Sequence, residues 1–410
     1  MATRTIGSRL DENGGLGPGF DFLRVALAIG VVLWHQPEIM FGQAGKHGFV
    51  MAMLGPILLP MFFALSGFLI SGSALRLGLG QFLINRGLRI FPALVVEVIL
   101  CAFVLGPLFT SLPLHAYFLD KETYHYLTNA VGVINFALPG VFSANPSTTV
   151  NWSIWTVPCE LGCYAVMALM IILKIIKRPR HLLLFSLSIL PTLYVAQRFL
   201  VRIDALPASV RPTAFYLTTS GIGLLIPFLL GVICHAYRYR IPFHWGLALF
   251  ALVPVAALTV LHDPTRYPPL FICLLLAETY LCAFIGVLRI PPLPLFRNGD
   301  YSYGIYLYGA PVQQAVRAAL PGLQNGSAYL AIALAAIVAF AMLSWHGLEK
   351  PILGLRKRFS FVARARGLSR GEDSAVNAPP PVVSRATGQI LTYGTRRETA
   401  PPGPAREDAR

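Results

Sequence analysis

Charged side chains are scarce in this sequence, and their scarcity excludes most classes of soluble protein. Only 12% of the 410 residues are charged, whereas 55% are hydrophobic and the mean hydropathy is +0.63. An average soluble domain has about 25% charged residues. Apolar stretches of roughly 18 to 22 residues recur along the chain, which is the length a helix needs to cross a bilayer. We therefore predict an all-α polytopic membrane protein, with the lipid bilayer as its solvent.

Motifs for metal and nucleotide binding are also missing. None of the six cysteines lies in a short-spaced cluster with histidine of the kind that binds zinc, so we interpret them as core residues and expect no metal. No Walker or dinucleotide glycine loop occurs, which argues against ATP-driven transport by this chain. The formal net charge of +15 comes in short basic clusters between apolar segments, so membrane topology explains it better than nucleic acid does.

Ten apolar segments are long enough to span a membrane as helices. Their approximate bounds are 20–40, 52–74, 91–111, 152–174, 181–199, 217–236, 244–262, 269–288, 302–320 and 328–349. The basic clusters all fall on one side of this topology: Arg76, Arg86 and Arg89; Lys174, Lys177, Arg178 and Arg180; Arg238 and Arg240; Arg289 and Arg297; Arg356, Lys357 and Arg358. Because basic residues are enriched on the cytoplasmic face, both termini are predicted to be cytoplasmic.

Composition divides the chain into three parts. Residues 1–19 are polar and lack the apolar region and cleavage site of a signal peptide, so we expect a cytoplasmic N-terminal segment. A transmembrane domain is expected over 20–355, and its longest outer connection, 112–151, could form a lid or an acceptor platform. The Pro-rich residues 356–410 cannot bury a core, so they are predicted to be a disordered cytoplasmic tail.

The first apolar segment contains the two polar residues that most specifically suggest a function. Arg24 and His35 are 11 residues apart, which on a helix is a rise of roughly 16 Å and about 20° from three full turns. They therefore share one stripe. Histidine suits proton abstraction from an alcohol, and arginine can hold a phosphate or a developing oxyanion. The alternative is that Arg24 snorkels to the interface and His35 is an interfacial residue beside Trp34.

A second motif places two arginines three residues apart. Arg86 and Arg89 precede the third apolar segment, so their guanidinium groups lie on neighbouring positions of a helix end. Together they could bind a cytosolic phosphate group bidentately. The alternative reading is the positive-inside signal alone.

The third motif, NWSIWTVPCELGCY, places polar and aromatic groups at the outer end of the fourth segment: Asn151, Trp152, Trp155 and Glu160. The carboxylate could orient His35 or bind a sugar, and tryptophan faces stack on sugar rings. The alternative is an aromatic belt with a paired carboxylate. Glu97 and Glu278 also lie in apolar stretches; we expect each to pair with an arginine or polar backbone and assign neither a role.

Six elements in order resemble the membrane-bound acyltransferase family 3, over roughly residues 20–352. They are the Arg24-to-His35 element, FFALSGFLI at Phe62 to Ile70, Arg86/Arg89 followed by Phe91-Pro92, NWSIWTVPCELGCY, DYSYGIYLYGAPVQQ, and Glu349-Lys350-Pro351. The resemblance implies a multi-pass protein of the bacterial inner membrane that transfers acyl groups, usually acetyl, to envelope glycans and similar acceptors. It implies that His35 is essential, that Arg24 supports it, and that Arg86 and Arg89 bind coenzyme A. Many members have a histidine where this chain has Gly309, so no second catalytic histidine is expected there.

These readings combine into one hypothesis with two rivals. Acyl-CoA, most simply acetyl-CoA, would bind from the cytoplasm at Arg86 and Arg89, and an extracytoplasmic or lipid-linked glycan would enter from outside. His35 would act as general base, or as a transient acyl carrier, with Arg24 positioning it or stabilising charge. The first rival is a transporter or flippase for a lipid-linked sugar or small molecule, which would use the same polar residues without thioester chemistry. The second is a non-catalytic membrane scaffold.

Overall fold

The structure is a computed structural model that describes residues 4–15, 17–42, 49–199, 221–261, 268–291, 295 and 299–354. Across these residues the chain is helical and forms no strand; two isolated bridges join Thr5 to Pro242 and Thr110 to Val141. Helix is the expected outcome for long apolar runs, because it satisfies every backbone polar group within one segment. The prediction of an all-α fold is confirmed.

The helices follow the predicted segments closely. In chain order they are α1 (Ile6–Glu12), α2 (Pro18–Phe41), α3 (Phe49–Arg76), α4 (Leu79–Leu100), α5 (Gly106–Phe109), α6 (Leu114–Leu119), α7 (Lys121–His125), α8 (Thr156–Ile172), α9 (Pro179–Phe199), α10 (Gly221–Ala236), α11 (Trp245–Leu261), α12 (Pro268–Gly286), α13 (Ser302–Ala319), α14 (Gly326–Ser344) and α15 (Lys350–Gly354). Two π-helical turns, Cys101–Leu105 and Trp345–Glu349, continue α4 and α14. Short 3-10 turns occur at Tyr126–Val131, Ser153–Trp155 and Ile175–Lys177.

Six helices in the described part of the chain are long and apolar enough to cross a membrane: Pro18–Phe41, Leu54–Arg76, Leu79–Phe109, Ser153–Ile172, Pro269–Gly286 and Gly326–Gly354. Large apolar side chains are exposed on several helices, for example Phe250 and Leu343, as expected for surfaces that face lipid. The segments predicted at 181–199, 217–236, 244–262 and 302–320 coincide with α9, α10, α11 and α13, which are not among the six. Ten spans and cytoplasmic termini stay predictions.

Three boundaries bear on the earlier expectations. The third segment begins at Leu79 rather than 91, so Arg86 and Arg89 lie inside α4 and not before it. The connection 112–151, which is predicted to be on the outer side, contains α6, α7 and a 3-10 turn, and Tyr117 Oη attaches it to α4 by donating to the carbonyl of Ala102, just after that helix, at 2.7 Å. The tail predicted to be disordered, 356–410, lies outside the described residues, as do Arg297 and the first residues of the segment at 217–236.

The helix ends place polar residues in two separate groups. At one end, α2, α4, α13 and the end of α14 meet through Arg24, Arg89, Asp300 and Glu349. Helix α1 packs at this end, where Ile6 N donates to the Ile241 carbonyl at 2.9 Å. At the other end, Gln36 Nε2 on α2 donates to the Gly326 carbonyl at 2.8 Å, and Asn145 Nδ2 donates to Gln314 Oε1 on α13 at 2.8 Å. The first group lies at the end that carries the predicted cytoplasmic clusters.

Helices α3 and α10 pack backbone to backbone. A Cβ atom on Gly67 would lie 2.0 Å from the Phe228 carbonyl oxygen, and one on Gly231 would lie 2.0 Å from the Ala64 carbonyl oxygen. Such contacts between small residues let transmembrane helices approach closely, where van der Waals packing holds them together. The pair fixes α3, which forms one wall of a cavity between the helices.

Replacing Gly231 by alanine is therefore expected to destabilise the protein in detergent. Overpacking of a tight interface costs about 1–3 kcal/mol, which exceeds the helix propensity of roughly 1 kcal/mol that alanine adds over glycine. Thermal unfolding followed with a thiol-reactive dye would measure it, because five of the six free cysteines are buried. The control is Gly223→Ala on the same helix, where no atom of the described residues lies within 4 Å of the new Cβ and the midpoint should hold or rise. Equal midpoints for both variants would contradict the close packing.

Candidate active site

Arg24 and His35 lie on one unbroken helix, as their spacing predicts. Helix α2 runs from Pro18 to Phe41 and buries the inward stripe that includes Leu27 and Val31. His35 is 6% exposed on this stripe, while Arg24 lies nearer the start of the helix and reaches the acidic residues there. The two side chains therefore lie in different regions of the molecule, about three helical turns apart.

Aromatic faces hold the His35 ring. The ring centroid lies 5.7 Å from that of Trp152, with the planes 19° apart in a stack, and 4.9 Å from that of Trp34. Nδ1 of His35 is buried and has no hydrogen-bond partner among the described residues. An imidazole nitrogen that no neighbour occupies can accept a proton from an incoming hydroxyl group.

The helix is locally modified next to this histidine. Pro37 lacks an amide hydrogen, so it leaves a carbonyl group in the preceding turn without its helical donor. In the same turn the carbonyl of Val32 accepts from Gln313 Nε2 on α13 at 3.0 Å. Gln313 is fully buried, and the hydroxyl of Tyr329 donates to its carbonyl at 2.8 Å. A polar contact from α13 therefore fixes the turn of α2 that presents His35.

Of the predicted acceptor residues, Trp152 stacks on His35. Asn151 is fully buried: Nδ2 donates to Glu97 Oε1 at 2.9 Å and to the Leu307 carbonyl at 3.0 Å, while Oδ1 accepts from Ser153 N at 2.9 Å. Trp155 packs against the main hydrophobic core. Asn151 is thus occupied within the protein, and a direct contact with an acceptor would have to break these bonds.

The arginines meet in a cavity of about 460 Å³ between α2, α3, α4, α8 and α13. Its polar lining comes from Arg24, Ser66, Ser73, Asn85, Arg86, Arg89, Thr156, Glu160, Tyr164, Asp300, Ser302, Tyr303 and Tyr306. Its apolar lining comes mainly from α3, through Leu59, Phe62, Phe63, Leu65, Leu69 and Ile70. The cavity brings together four of the predicted residues, Arg24, Arg86, Arg89 and Glu160, but His35 does not line it.

Asp300 is the centre of the charged network in this cavity. Its Oδ2 accepts from Arg24 Nη1 and from Arg89 Nη2, each at 2.8 Å, and its Oδ1 accepts from Ser302 Oγ at 2.5 Å. Burial alone would raise the pKa of the Asp300 carboxyl, but Arg89 and Arg24 lower it to about 2. The carboxylate therefore stays ionised at physiological pH and keeps the two arginine heads together.

Two carboxylates balance the positive charge of Arg89. Besides Asp300, its Nη1 lies 3.4 Å from Glu349 Oε2, and the guanidinium carbon lies 5.5 Å from the centre of the Tyr303 ring. Glu349 is 3% exposed and belongs to the π-helical turn Trp345–Glu349; it also accepts from Ser344 Oγ at 3.1 Å. Single π turns inside α-helices occur often at functional sites. Arg89 is thus locked between two carboxylates.

Arg86 is the least compensated arginine of the three. It forms no ion pair within 4.0 Å among the residues that the structure describes, and its Nε is buried without a hydrogen-bond partner there. Glu160, across the cavity, accepts a hydrogen bond from Tyr164 one turn further along α8, and both lie close enough to interact electrostatically with Arg86. Glu160 thus faces Arg86 and Tyr164, and the expected contact with His35 is not formed.

Tyr306 connects the cavity to the histidine region. It lines the cavity, its hydroxyl shares a hydrogen bond with Thr156 Oγ1 at 2.7 Å, and it donates to the Ser153 carbonyl at 3.1 Å. Ser153 directly follows Trp152, whose indole stacks on His35. The end of the cavity therefore reaches the short turn that holds Trp152.

Sequence reasoning missed Asp300, Glu349 and Tyr306 as site residues, although all three lie in motifs already quoted. The available signal was charge: three arginines predicted near one membrane face need carboxylates, and Asp300 begins an apolar run. The expectation that Glu97 and Glu278 pair with arginine or backbone is wrong among the described residues. Glu97 accepts from Asn151 and Cys101, and both carboxylate oxygens of the buried Glu278 have no partner there.

This chain matches a known protein family over most of its length. The model of a family described as an acyltransferase domain, acyltransferase family 3, matches residues 18–346, which include α2, α3, α4, α8 and α13 around the cavity. This chain belongs to acyltransferase family 3. It is an acyl-transferring enzyme and a multi-pass membrane protein.

Two curated relatives match nearly full length. An O-acetyl transferase of Shigella phage Sf6 is 26% identical over 351 residues, 82% of this chain and 95% of the relative. Nodulation protein 10 of Rhizobium leguminosarum bv. viciae is 27% identical over 386 residues, 88% of this chain and 99% of the relative. No solved structure matches this chain.

Proposed function

We propose that this protein is an integral-membrane O-acyltransferase that moves an acyl group, most simply acetyl, from acyl-CoA to a hydroxyl of an envelope glycan or lipid-linked glycan. The observation that carries the proposal is that one helix holds both an arginine of the cavity and a buried histidine that can accept a proton. Arg24 on α2 lies in a cavity with Arg86 and Arg89, and His35 lies three turns further along the same helix. An anionic donor and a proton-accepting group would thereby be held by one rigid element.

The arginine cavity suits the donor. Coenzyme A carries several phosphate groups, and arginine binds phosphate through charge-assisted, bidentate hydrogen bonds. Arg86 supports this assignment most directly, because the structure describes no ion pair to it. The apolar wall from α3 would accommodate the uncharged arm that carries the thioester. Since acyl-CoA is made in the cytoplasm, the proposal also implies an inner membrane with this end facing the cytoplasm.

The region around His35 suits the acceptor. Trp152 offers an aromatic face of the kind on which sugar rings stack. The name of the phage relative, O-acetyl transferase, supports an oxygen acceptor and an acetyl donor for this chain as well. A folded outer connection over 112–151 lies on the same side as Asn151 and Trp152 and could present a glycan to them.

The proposed reaction is direct transfer. His35 takes the proton of the acceptor hydroxyl, the oxygen attacks the thioester carbonyl, and the carbon–sulfur bond breaks. The proton then passes from His35 to the departing thiolate, so that coenzyme A leaves as the thiol. Arg24 belongs to the donor end in this scheme, because a separation of roughly 16 Å along α2 keeps it from the His35 ring. Its role is to hold Asp300 and the donor, and not to orient the base.

The test of this function is mass spectrometry of envelope glycans. Cells with the intact gene, without it, and with His35→Ala are compared for a mass difference of one acyl group. Loss of the same acyl group from one glycan in both altered strains is the expected result. Acyl patterns that are identical in all three strains, in every envelope fraction, would overturn the proposed acceptor class.

Binding of coenzyme A tests the donor site separately. We expect Arg86→Gln to weaken binding about 10- to 100-fold, since a hydrogen bond to a charged group contributes about 1.5–3 kcal/mol. Titration calorimetry of the purified protein with coenzyme A measures it. Arg240→Gln is the control, because Arg240 is exposed at the same end and does not line the cavity. Equal affinities of the two variants would place the donor elsewhere.

A further inference from the structure

A buried carboxylate outside the donor cavity has no part in the scheme above. Glu97 on α4 is fully buried, and its Oε1 accepts from Asn151 Nδ2 at 2.9 Å and from Cys101 Sγ at 3.0 Å. Cys101 begins the π-helical turn that continues α4. No arginine or lysine forms an ion pair with Glu97 in the described chain, so its bond to Asn151 is its main polar anchor across helices.

Asn151, which Glu97 holds, also fixes the backbone turn that follows it. Its Nδ2 also donates to the Leu307 carbonyl on α13, and its Oδ1 accepts from Ser153 N at 2.9 Å. Trp152 lies between the two bonded residues, and its carbonyl accepts from Trp155 N at 3.4 Å. The position of the Trp152 indole is therefore set by a side chain whose own amide group is held by Glu97.

Trp152 in turn sets the plane of the histidine. Its ring is stacked on His35, with centroids 5.7 Å apart and planes 19° apart. His35 Nδ1 makes no hydrogen bond within the described residues, so no carboxylate orients the imidazole from behind. A ring without such a bond takes its orientation from packing. A series of contacts therefore connects Glu97 to His35 through Asn151 and Trp152.

We propose that Glu97 is a positioning residue for acyl transfer: by holding Asn151 it fixes Trp152, and Trp152 holds His35 in the plane in which it meets the acceptor hydroxyl. The role of His35 in this statement rests on the proposed function. Glu97 is assigned no contact with the donor, because it does not line the arginine cavity. It borders a separate cavity whose other side chains are mainly apolar, among them Leu100, Val104 and Phe340.

Three variants test the proposal in purified protein. Glu97→Leu removes the acceptor for Asn151, Glu97→Gln keeps a carbonyl oxygen in that place, and Glu278→Leu is the matched control, a buried glutamate without a described partner. We expect Glu97→Leu to lower kcat at least 10-fold with the KM for acyl-CoA within twofold. Glu97→Gln should stay within about threefold of the wild type, and Glu278→Leu should keep its kcat. A KM change that accounts for the whole effect of Glu97→Leu would overturn the proposal.

A double-variant cycle tests the route through Trp152. If Glu97 acts through this ring, the protein with both Glu97→Leu and Trp152→Leu has the same kcat as Trp152→Leu alone, because coupled residues are not additive. Independent residues would instead multiply their losses, and that result would contradict the proposal. Should Glu97→Leu not yield a monodisperse protein, Asn151→Ala breaks the same bond from the other side.

Fluorescence gives a readout that needs no substrate. The emission of Trp152 is obtained as the difference between each protein and its Trp152→Leu counterpart. Glu97→Leu should shift this difference spectrum, whereas Glu97→Gln should leave it unchanged. A shift without any measurable acyl transfer by the wild type would refute the proposed function and leave the packing role of Glu97 intact. No shift in Glu97→Leu would overturn the positioning role itself.

Discussion

His35→Ala is expected to reduce acyl transfer about 100- to 10,000-fold, the range that a positioned general base contributes. The structure gives a physical reason for so large an effect. His35 is 6% exposed, its ring is clamped by two tryptophans, and its Nδ1 is free of any described partner. The acidic residues of the donor cavity, Asp300 and Glu160, are hydrogen-bonded to arginine, serine or tyrosine and are not free to take its place. Transfer of labelled acetyl groups by purified protein measures the loss.

The control for this variant is a second buried histidine. His235 on α10 is also 6% exposed and stacks edge-on against Phe68, with ring centroids 5.2 Å apart, but it does not line the cavity. We expect His235→Gln to keep transfer within about threefold, and His35→Ala to bind coenzyme A as the wild type does. Transfer at the normal rate by His35→Ala would remove the histidine from the mechanism. Loss of coenzyme A binding by that variant would instead assign His35 to the donor site.

Features carried by one helix could be predicted from the sequence. Helix periodicity placed Arg24 and His35 on one face of one helix, and the structure keeps them so. Arg86 and Arg89 also lie in one cavity, although α4 begins well before them. Local spacing is sufficient in these cases, because the geometry of an α-helix is fixed by the backbone.

Contacts between helices could not be predicted in the same way. Glu160 follows Trp152 by eight residues, yet it faces Arg86 and Tyr164 and not His35. Helix α8 begins at Thr156 and carries Glu160 away from the Trp152 turn towards the arginine end. For Asn151, the sequence suggested an amide free to bind a sugar, but in the structure this amide is hydrogen-bonded to Glu97 and to the Leu307 carbonyl. Which face each helix turns inward depends on packing with several neighbours, and one sequence does not encode that in its spacing.

Asp300→Ala is expected to have the second largest effect, on stability and donor binding together. The carboxylate accepts from Arg24 and Arg89. Removal of one partner from a fully buried pair costs about 3–5 kcal/mol; these side chains are 22–27% exposed, so we expect a smaller loss here. Three guanidinium groups would then line one cavity with less negative charge to separate them. We expect a lower midpoint of thermal unfolding and a KM for acyl-CoA raised at least 10-fold. Asp300→Asn should behave similarly, because the amide keeps the shape but loses the charge.

Asp21 provides the matched control, since it is the other carboxylate on Arg24. It accepts from Arg24 Nη1 at 3.0 Å, but its side chain is 78% exposed. An exposed pair contributes about 0–1 kcal/mol, so Asp21→Ala should change the midpoint and the KM little.

The pH dependence of stability distinguishes the effect of Asp300 from that of Asp21. Because the folded pKa of Asp300 is lowered to about 2, its contribution is complete above the ordinary carboxyl pKa of about 3.9 and is lost only as pH falls towards 2. The difference in stability between wild type and Asp300→Ala should therefore be constant from pH 8 to about pH 5. If Asp300→Ala is as mild as Asp21→Ala, the arginines are ordered by Glu349 and packing, and Asp300 is not the centre of the donor site.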